Sequence, residues 1–339
     1  MRLNLEQMKS IANGVVRVEE KENAFALHRF TLKQQELYKN VSEDFYEKSF
    51  CNSGVNLRFK TDSKNLKLEV FLEMFCSRSY LTIEVLVDGK VFATLKNYNE
   101  SEMVGAYSKK ELNFEKNNVI DCVLGDGIKE VEIVLPWNYN CLIKGLYLDD
   151  GAMVERVKSK KTWLFYGDSI TQGYDCISPS NRYAYRVCKH FKVEEINKAI
   201  GGEISRSGLA TLKDDLDPEV IIIAYGTNDW SKGVLKEDFY REYLGFLTNI
   251  KNNYPTAKIF SITPIWRSIW QEEKPLGKFE LVAKLIKKAT EEVGDINCIY
   301  GFDLVPHDPK FFGDLVLHPS DEGFKHYANN LIAEIEKYL

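Results

Sequence analysis

Hydrophobic and polar positions follow two different rhythms along this chain. Up to about residue 155 they alternate with period two. Val55-Asn-Leu-Arg-Phe-Lys-Thr and Leu66-Lys-Leu-Glu-Val-Phe-Leu are two such runs. Others begin at Tyr80, Lys90 and Lys129, and a last one covers about 141–148. Period two sends successive side chains to opposite faces of a strand, so each run predicts a strand with one buried face. Asp88-Gly89 sits between two of the runs and predicts a hairpin, because both residues tolerate the positive φ of a two-residue turn. Many short alternating strands predict an antiparallel sandwich, and the whole region up to 155 reads as strands.

After about residue 160 the pattern becomes strand, helix, strand. Residues 163–166 and 220–225 are short apolar runs, and 194–197, 257–263 and 297–302 read as further strands. The run at 220–225 is continuous, as in strands buried on both faces of a parallel sheet. Helical spacing fills 181–191, 236–252, 276–293 and 320–339. Five strands separated by helices predict an open, three-layer αβα domain of flavodoxin-like kind. The expected division is 1–158 for the sandwich and 159–339 for the α/β domain, with 149–161 as linker. A length of 339 residues agrees with two domains at about 150 residues each.

Composition excludes several function classes. With 45 Lys and Arg against 50 Asp and Glu, the net charge is −5. That offers nothing to nucleic acid or an anionic membrane surface, and neither is expected as a partner. No apolar run approaches about 18 residues, so no membrane-spanning helix is expected. The seven cysteines form no C-x-x-C pair, which argues against a zinc knuckle or redox motif and for reduced thiols in a cytoplasmic protein. No secretory signal is visible at the start. No metal site and no cofactor are expected, since the His and carboxylate spacings match no H-E-x-x-H pattern.

Ligands of open α/β sheets bind at the carboxyl ends of the strands. The residues there are Gly167-Asp168-Ser169-Ile170-Thr171-Gln172-Gly173, Gly201-Gly202-Glu203, Gly226-Thr227-Asn228-Asp229 and Asp314-Leu-Val-Leu-His318-Pro319. A serine on a glycine-flanked turn, a histidine to take its proton, and amide donors for an oxyanion are the parts of acyl transfer. Ser169 N–H, Gly202 N–H and the Asn228 amide are the candidate donors. Taken singly, each has a plainer reading. Serine after Gly-Asp is a common helix cap, Asn228 a turn residue, Asp229 a loop anchor and Asp168 a structural hydrogen-bonder.

In order, Gly167-Asp168-Ser169-Ile170, Gly202, Gly226-Thr227-Asn228-Asp229 and His318-Pro319 resemble the four signature blocks of the SGNH (GDSL-type) hydrolases, over about residues 160–339. The resemblance implies the three-layer fold, Ser169 as nucleophile, Gly202 and Asn228 as oxyanion donors and His318 as base. A strand-rich region ahead of such a domain is similar to carbohydrate esterases of family 2, which place a jelly-roll domain before an SGNH domain and deacetylate sugars. The implied function is a serine esterase that hydrolyses small acyl esters, O-acetyl groups on carbohydrate above all, with an acetylated sugar as substrate. The rival enzyme reading is a lipid or thioester acyl hydrolase, although no apolar lid-like segment is present. The rival outside the enzymes is a carbohydrate-binding protein with an inactive hydrolase domain.

The last block departs from the family pattern, in which an acid stands three residues before the histidine. Leu315 occupies that position and Asp314 precedes it. Three acceptors for His318 Nδ1 are therefore open: Asp314, if the segment bulges by one residue; the backbone carbonyl near Leu315, as in family 2 esterases with a Ser-His dyad; or a distant acid, Asp303 or Asp308. His307 competes with His318 as base, whereas His190 and His326 fall in predicted helices and His28 in the sandwich. Trp230, Trp266 and Trp270 are candidates to line the site entrance as platforms for a sugar face, with core packing as the alternative. Every catalytic block lies after residue 160, so the sandwich is expected to help select substrate and to supply no chemistry.

Overall fold

Alternation produces the strands it predicts. Asn65–Met74 buries Leu66, Leu68, Val70 and Leu72 and turns the residues between them outward. The computed structural model describes residues 1–157, 159 and 161–339. The division expected at 158/159 falls on Lys158, outside the described residues.

The first half holds two antiparallel sheets. One runs, neighbour to neighbour, Arg17–Lys21, Ala24–His28, Tyr139–Leu148, Asn65–Met74 and Asn117–Val123. The other runs Ala12–Asn13, Asn56–Thr61, Lys129–Val134, Thr82–Val87 and Lys90–Lys96, with Glu155–Arg156 paired on Asn56–Thr61. Leu57, Phe59, Ile83 and Ile133 of one sheet meet Phe25, Leu68, Leu72 and Ile143 of the other in a single core. Asp88 and Gly89, both at positive φ, make the expected two-residue turn.

The expectation of strands alone up to residue 155 requires correction. Leu5–Ile11, Leu32–Val41 and Glu43–Lys48 are helices. Each begins at a side-chain cap, Asn4, Thr31 or Ser42, and the first two form capping boxes with Gln7 and Gln34. These helices are short and polar, so they carry little apolar periodicity, and their caps are the signal that marks them. Asn117–Val123 is a further strand; it lies at a sheet edge with Val119 and Val123 exposed and Asn118 turned inward, so residue type does not follow its alternating burial.

The second half is a parallel sheet ordered Glu194–Asn197, Thr162–Gly167, Val220–Ala224, Lys258–Ile262 and Ile296–Ile299. In chain order this is 2-1-3-4-5, the flavodoxin-like winding. Leu164, Ile221, Ile223 and Ile259 face the helices Lys236–Asn253 and Phe279–Val293. Phe165, Val220, Ile222 and Phe260 face Tyr183–Phe191 and Asp321–Ile335. Among the described residues no helix is long and apolar enough to cross a membrane.

The halves share buried surface. Phe30, Tyr38 and Phe45 join the core beneath the parallel sheet. The wholly buried Arg29 donates to the carbonyls of Asn197 (2.9 Å) and Ala199 (2.7 Å) in the second half, and of Cys51 (2.6 Å) in the first.

Candidate active site

The winding reverses between Thr162–Gly167 and Val220–Ala224, and the crevice outside such a switch point is where an α/β sheet binds ligands. Ser169 opens the helix Ser169–Gln172 directly after the first of these strands. Asp168 caps that helix, its Oδ1 accepting the Ile170 N–H at 2.9 Å. A side chain at Gly167 would stand 2.3 Å from Thr171 Oγ1, so the turn into the helix admits only glycine there. Burial pushes the Asp168 carboxyl up to about 7.

Ser169 Oγ lies 2.8 Å from His318 Nε2, and His318 Nδ1 lies 2.7 Å from Asp314 Oδ2. The other oxygen of Asp314 accepts the backbone N–H groups of Val316 (2.8 Å), Leu317 (2.7 Å) and His318 (3.1 Å). Of the three acceptors left open by the sequence, Asp314 is the one within hydrogen-bond reach of Nδ1. Leu315 adopts φ +60, which absorbs the extra residue between acid and histidine. Burial raises the Asp314 carboxyl, but the His318 hydrogen bond and charge and the Leu317 and Val316 N–H groups outweigh it and hold it well below the usual carboxylate range. The distant acids are occupied elsewhere: Asp303 lies 3.1 Å from His307, and Asp308 caps the turn at Lys310. His307 stacks on Trp266. His190 bonds Glu336, and His326 lies 3.8 Å from Glu322.

The loop after Glu194–Asn197 reaches the same edge. Gly202 sits at φ +85, and Gln172 Oε1 accepts the Gly201 N–H at 2.6 Å. Asn228 Nδ2 donates to Glu203 O at 3.0 Å, which ties the third block to the second. Asp229 Oδ1 accepts the N–H and hydroxyl of Ser205, so Asp229 anchors the loop, and burial pushes its carboxyl up to about 6.

Residues of the first half also reach this site. Asp175 is a second carboxylate beside the histidine, its Oδ2 3.9 Å from His318 Nδ1. Arg78 Nε (2.6 Å) and Tyr80 OH (3.2 Å) donate to its Oδ1, and Tyr107 OH donates to its backbone carbonyl. Burial raises the Asp175 carboxyl against the charges of His318 and Arg78. The ring of Tyr174 packs against both Arg78 and His318, 5.5 Å from the imidazole centroid. Lys48 Nζ donates to Gly201 O at 3.3 Å, and Lys232 Nζ to Gly202 O. Gln172 and Asp175 stand in or beside the first block, so position along the chain marks them. Arg78, Tyr80, Tyr107 and Lys48 carry no sequence signal, since only folding brings them here.

Asp175, Asp314 and His318 place three ligand-type atoms within 4.8 Å of one another. The 2.7 Å bond between His318 and Asp314 joins two of them to the chain of hydrogen bonds that starts at Ser169. This hydroxyl–imidazole–carboxylate chain can ionise a serine for attack on an acyl carbon.

Residues 165–326 match the GDSL-like Lipase/Acylhydrolase family. They form a GDSL-like, SGNH-type domain. No curated protein matches the chain. Solved structures share the whole two-part fold at low identity. The salicylyl-acyltransferase SsfX3 from a tetracycline biosynthetic pathway superposes with a TM-score of 0.78 at 22% identity, covering 96% of this chain and 94% of its own. A family two carbohydrate esterase from Cellvibrio japonicus reaches 0.67 at 15% identity, over 99% and 97%. The acetyl xylan esterase Est2A from Butyrivibrio proteoclasticus reaches 0.63 at 14% identity, over 99% and 98%.

Within the GDSL-like domain, two of the three tryptophans that are candidate sugar platforms take the core-packing alternative. Trp230 is wholly buried, donates to Gly277 O at 2.9 Å, and is covered by Arg267 and Phe279. Trp266 is buried against His307 and Phe312. Neither offers a ring face to a ligand, because the helix Phe279–Val293 and the loop before His318 close over them. Trp270 is half-buried, with Phe302 edge-on to it.

Proposed function

We propose that the protein is a serine esterase that hydrolyses small acyl esters, with O-acetyl groups on carbohydrate as its substrate class. The Ser169–His318–Asp314 chain of hydrogen bonds carries this reading. His318 Nε2 takes the Ser169 proton as Oγ attacks the ester carbonyl. Asp314 keeps Nδ1 protonated and balances the imidazolium. The N–H groups of Ser169 and Gly202 and the Asn228 amide receive the oxyanion, each worth about 3 kcal/mol of barrier. His318 then protonates the leaving alcohol, and water, deprotonated by His318, releases the acyl group from Ser169.

One comparison supports a sugar ester as the substrate. Two of the structures sharing the fold act on carbohydrate esters by name. In this reading residues 1–158 and 159–339 are the two structural units, joined through the buried Arg29. The test compares p-nitrophenyl acetate with the octanoate ester, in wild type and in Ser169→Ala. The acetate should be turned over at least tenfold faster, and Ser169→Ala should lower kcat at least a thousandfold with the fold intact. Preference for octanoate would favour a lipid acyl hydrolase, and no turnover of either ester an inactive binding protein.

A further inference from the structure

The outer face of the five-stranded sheet is unlike an ordinary solvated sandwich face. Strand register sets Arg17 beside His28, Glu19 beside Ala26 and Lys21 beside Ala24, and further across sets Asn140 beside Glu73 and Leu142 beside Phe71. These residues point away from the core formed by Phe25, Leu72, Cys141 and Ile143. Two alanines floor the middle of the face, and Phe71, Phe75, Tyr46 and Phe50 line it as well, Phe50 packing against both Tyr46 (5.0 Å between ring centroids) and Phe75 (6.3 Å). The result is a cleft of about 800 Å³, within the ~300–1,000 Å³ range of small-ligand sites.

The cleft contains unspent hydrogen-bonding capacity. His28 lines it, is only 6% exposed, and has a hydrogen-bond partner on neither ring nitrogen, although Glu19 Oε2 stands 3.3 Å from Nε2. Burial, with the charge of Arg17, pushes the His28 ring down to about 4. At neutral pH the ring is therefore uncharged, with one donor and one acceptor. A buried polar group without a partner is unfavourable, and a ligand hydroxyl that both donates and accepts would relieve that. The charged lining balances: Arg17, Lys21 and Lys144 against Glu19, Glu22 and Glu73. A polyanion or polycation finds no net attraction there. An apolar peptide would cover the aromatic rings but leave His28 unpaired.

The cleft also shares a wall with the active site. On one short segment, Phe45 and Lys48 touch the Gly201–Gly202 loop while Tyr46 and Phe50 line the cleft. Phe75, against which Phe50 packs, precedes Cys76, whose Sγ receives Gln172 Nε2 at 3.3 Å.

We propose that this cleft is a subsite for a neutral oligosaccharide, whose pyranose faces stack on the aromatic rings and whose hydroxyls pair with His28. It seats the polymer that carries the ester, and so rests on the carbohydrate-esterase reading above. Calorimetry tests it with the full chain carrying Ser169→Ala, titrated with xylohexaose, cellohexaose and mannohexaose. At least one should bind. Adding Phe71→Ala, or Ala26→Trp to fill the floor, should weaken that binding at least fivefold while the thermal transition stays cooperative. Phe71 is half-buried and faces outward, so its truncation keeps the test open should Ala26→Trp fail to fold. Absence of binding by all three sugars, or a change under fivefold in the folded variants, overturns the subsite. So does concentration-dependent dimerisation that Phe71→Ala abolishes, because it would assign the cleft to a second copy. Loss of esterase activity in Ser169→Ala is read separately, so failure of the subsite is distinguishable from failure of the enzyme reading.

Discussion

Replacing Asp314 by asparagine should cost about 10⁴ in kcat with KM nearly unchanged. The magnitude follows from the four hydrogen bonds of this carboxylate. Oδ1 accepts three backbone N–H groups, and Oδ2 accepts His318 Nδ1–H at 2.7 Å. An asparagine amide has one oxygen to offer. If it stays with the three N–H donors, the NH₂ faces Nδ1, which must become an acceptor. The ring proton then moves to Nε2, the nitrogen that should take the proton of Ser169. If the amide flips, its oxygen serves the histidine, but three backbone donors meet an NH₂ group. Forfeiting those bonds costs roughly 0.5–1.5 kcal/mol each, before any N–H against N–H repulsion. The wrong tautomer is therefore favoured, and a serine protease with the same tautomer inversion loses about 10⁴ in kcat, or about 5.5 kcal/mol of barrier. The assay is steady-state hydrolysis of p-nitrophenyl acetate by variant protein with a wild-type circular dichroism spectrum. A loss below tenfold would refute Asp314 as the orienting acid and leave a Ser169–His318 dyad. A loss near a hundredfold would mean that Asp175, 3.9 Å from Nδ1, takes over part of the charge balance; Asp175→Asn should then add a further loss in the double variant.

Two other substitutions probe features of the fold that hold the site. Leu315→Gly should leave stability within about 1 kcal/mol of wild type in urea unfolding, since relief of a left-handed L-residue, ~1–2 kcal/mol less the unfolded-state entropy that glycine regains, offsets the burial lost with a side chain only 37% exposed; a loss above ~2 kcal/mol would contradict the strain. Arg29→Met should destabilise by at least ~3 kcal/mol, because it strips the donor from buried carbonyls at about 1–3 kcal/mol each, and should also lower kcat, because two of those carbonyls belong to the loop leading to Gly202; a change under 1 kcal/mol would mean that the halves are not coupled through this residue.

Local chemistry that repeats or clusters along the chain was legible without coordinates. Period-two alternation marks Asn65–Met74, and a continuous apolar run marks Val220–Ala224, because burial on one face or on two leaves a direct trace in residue type. The order of the four blocks placed Ser169, Gly202, Asn228 and His318 at strand ends, since a parallel sheet delivers every such end to one edge. The short capped helices before residue 50 were missed, because propensity and capping decide them rather than an apolar stripe. Other features belong to the tertiary structure alone. That Asp314 reaches His318 depends on Leu315 at φ +60, a conformation that leucine does not favour and that no residue type signals. Whether Trp230 packs or lines the site depends on what the helix Phe279–Val293 covers. The clasp of Arg78 and Tyr80 on Asp175 joins positions almost a hundred residues apart. Contacts of that kind arise when two independently patterned halves bury surface against each other, and a sequence records which residues each half will bury but not which of them will meet.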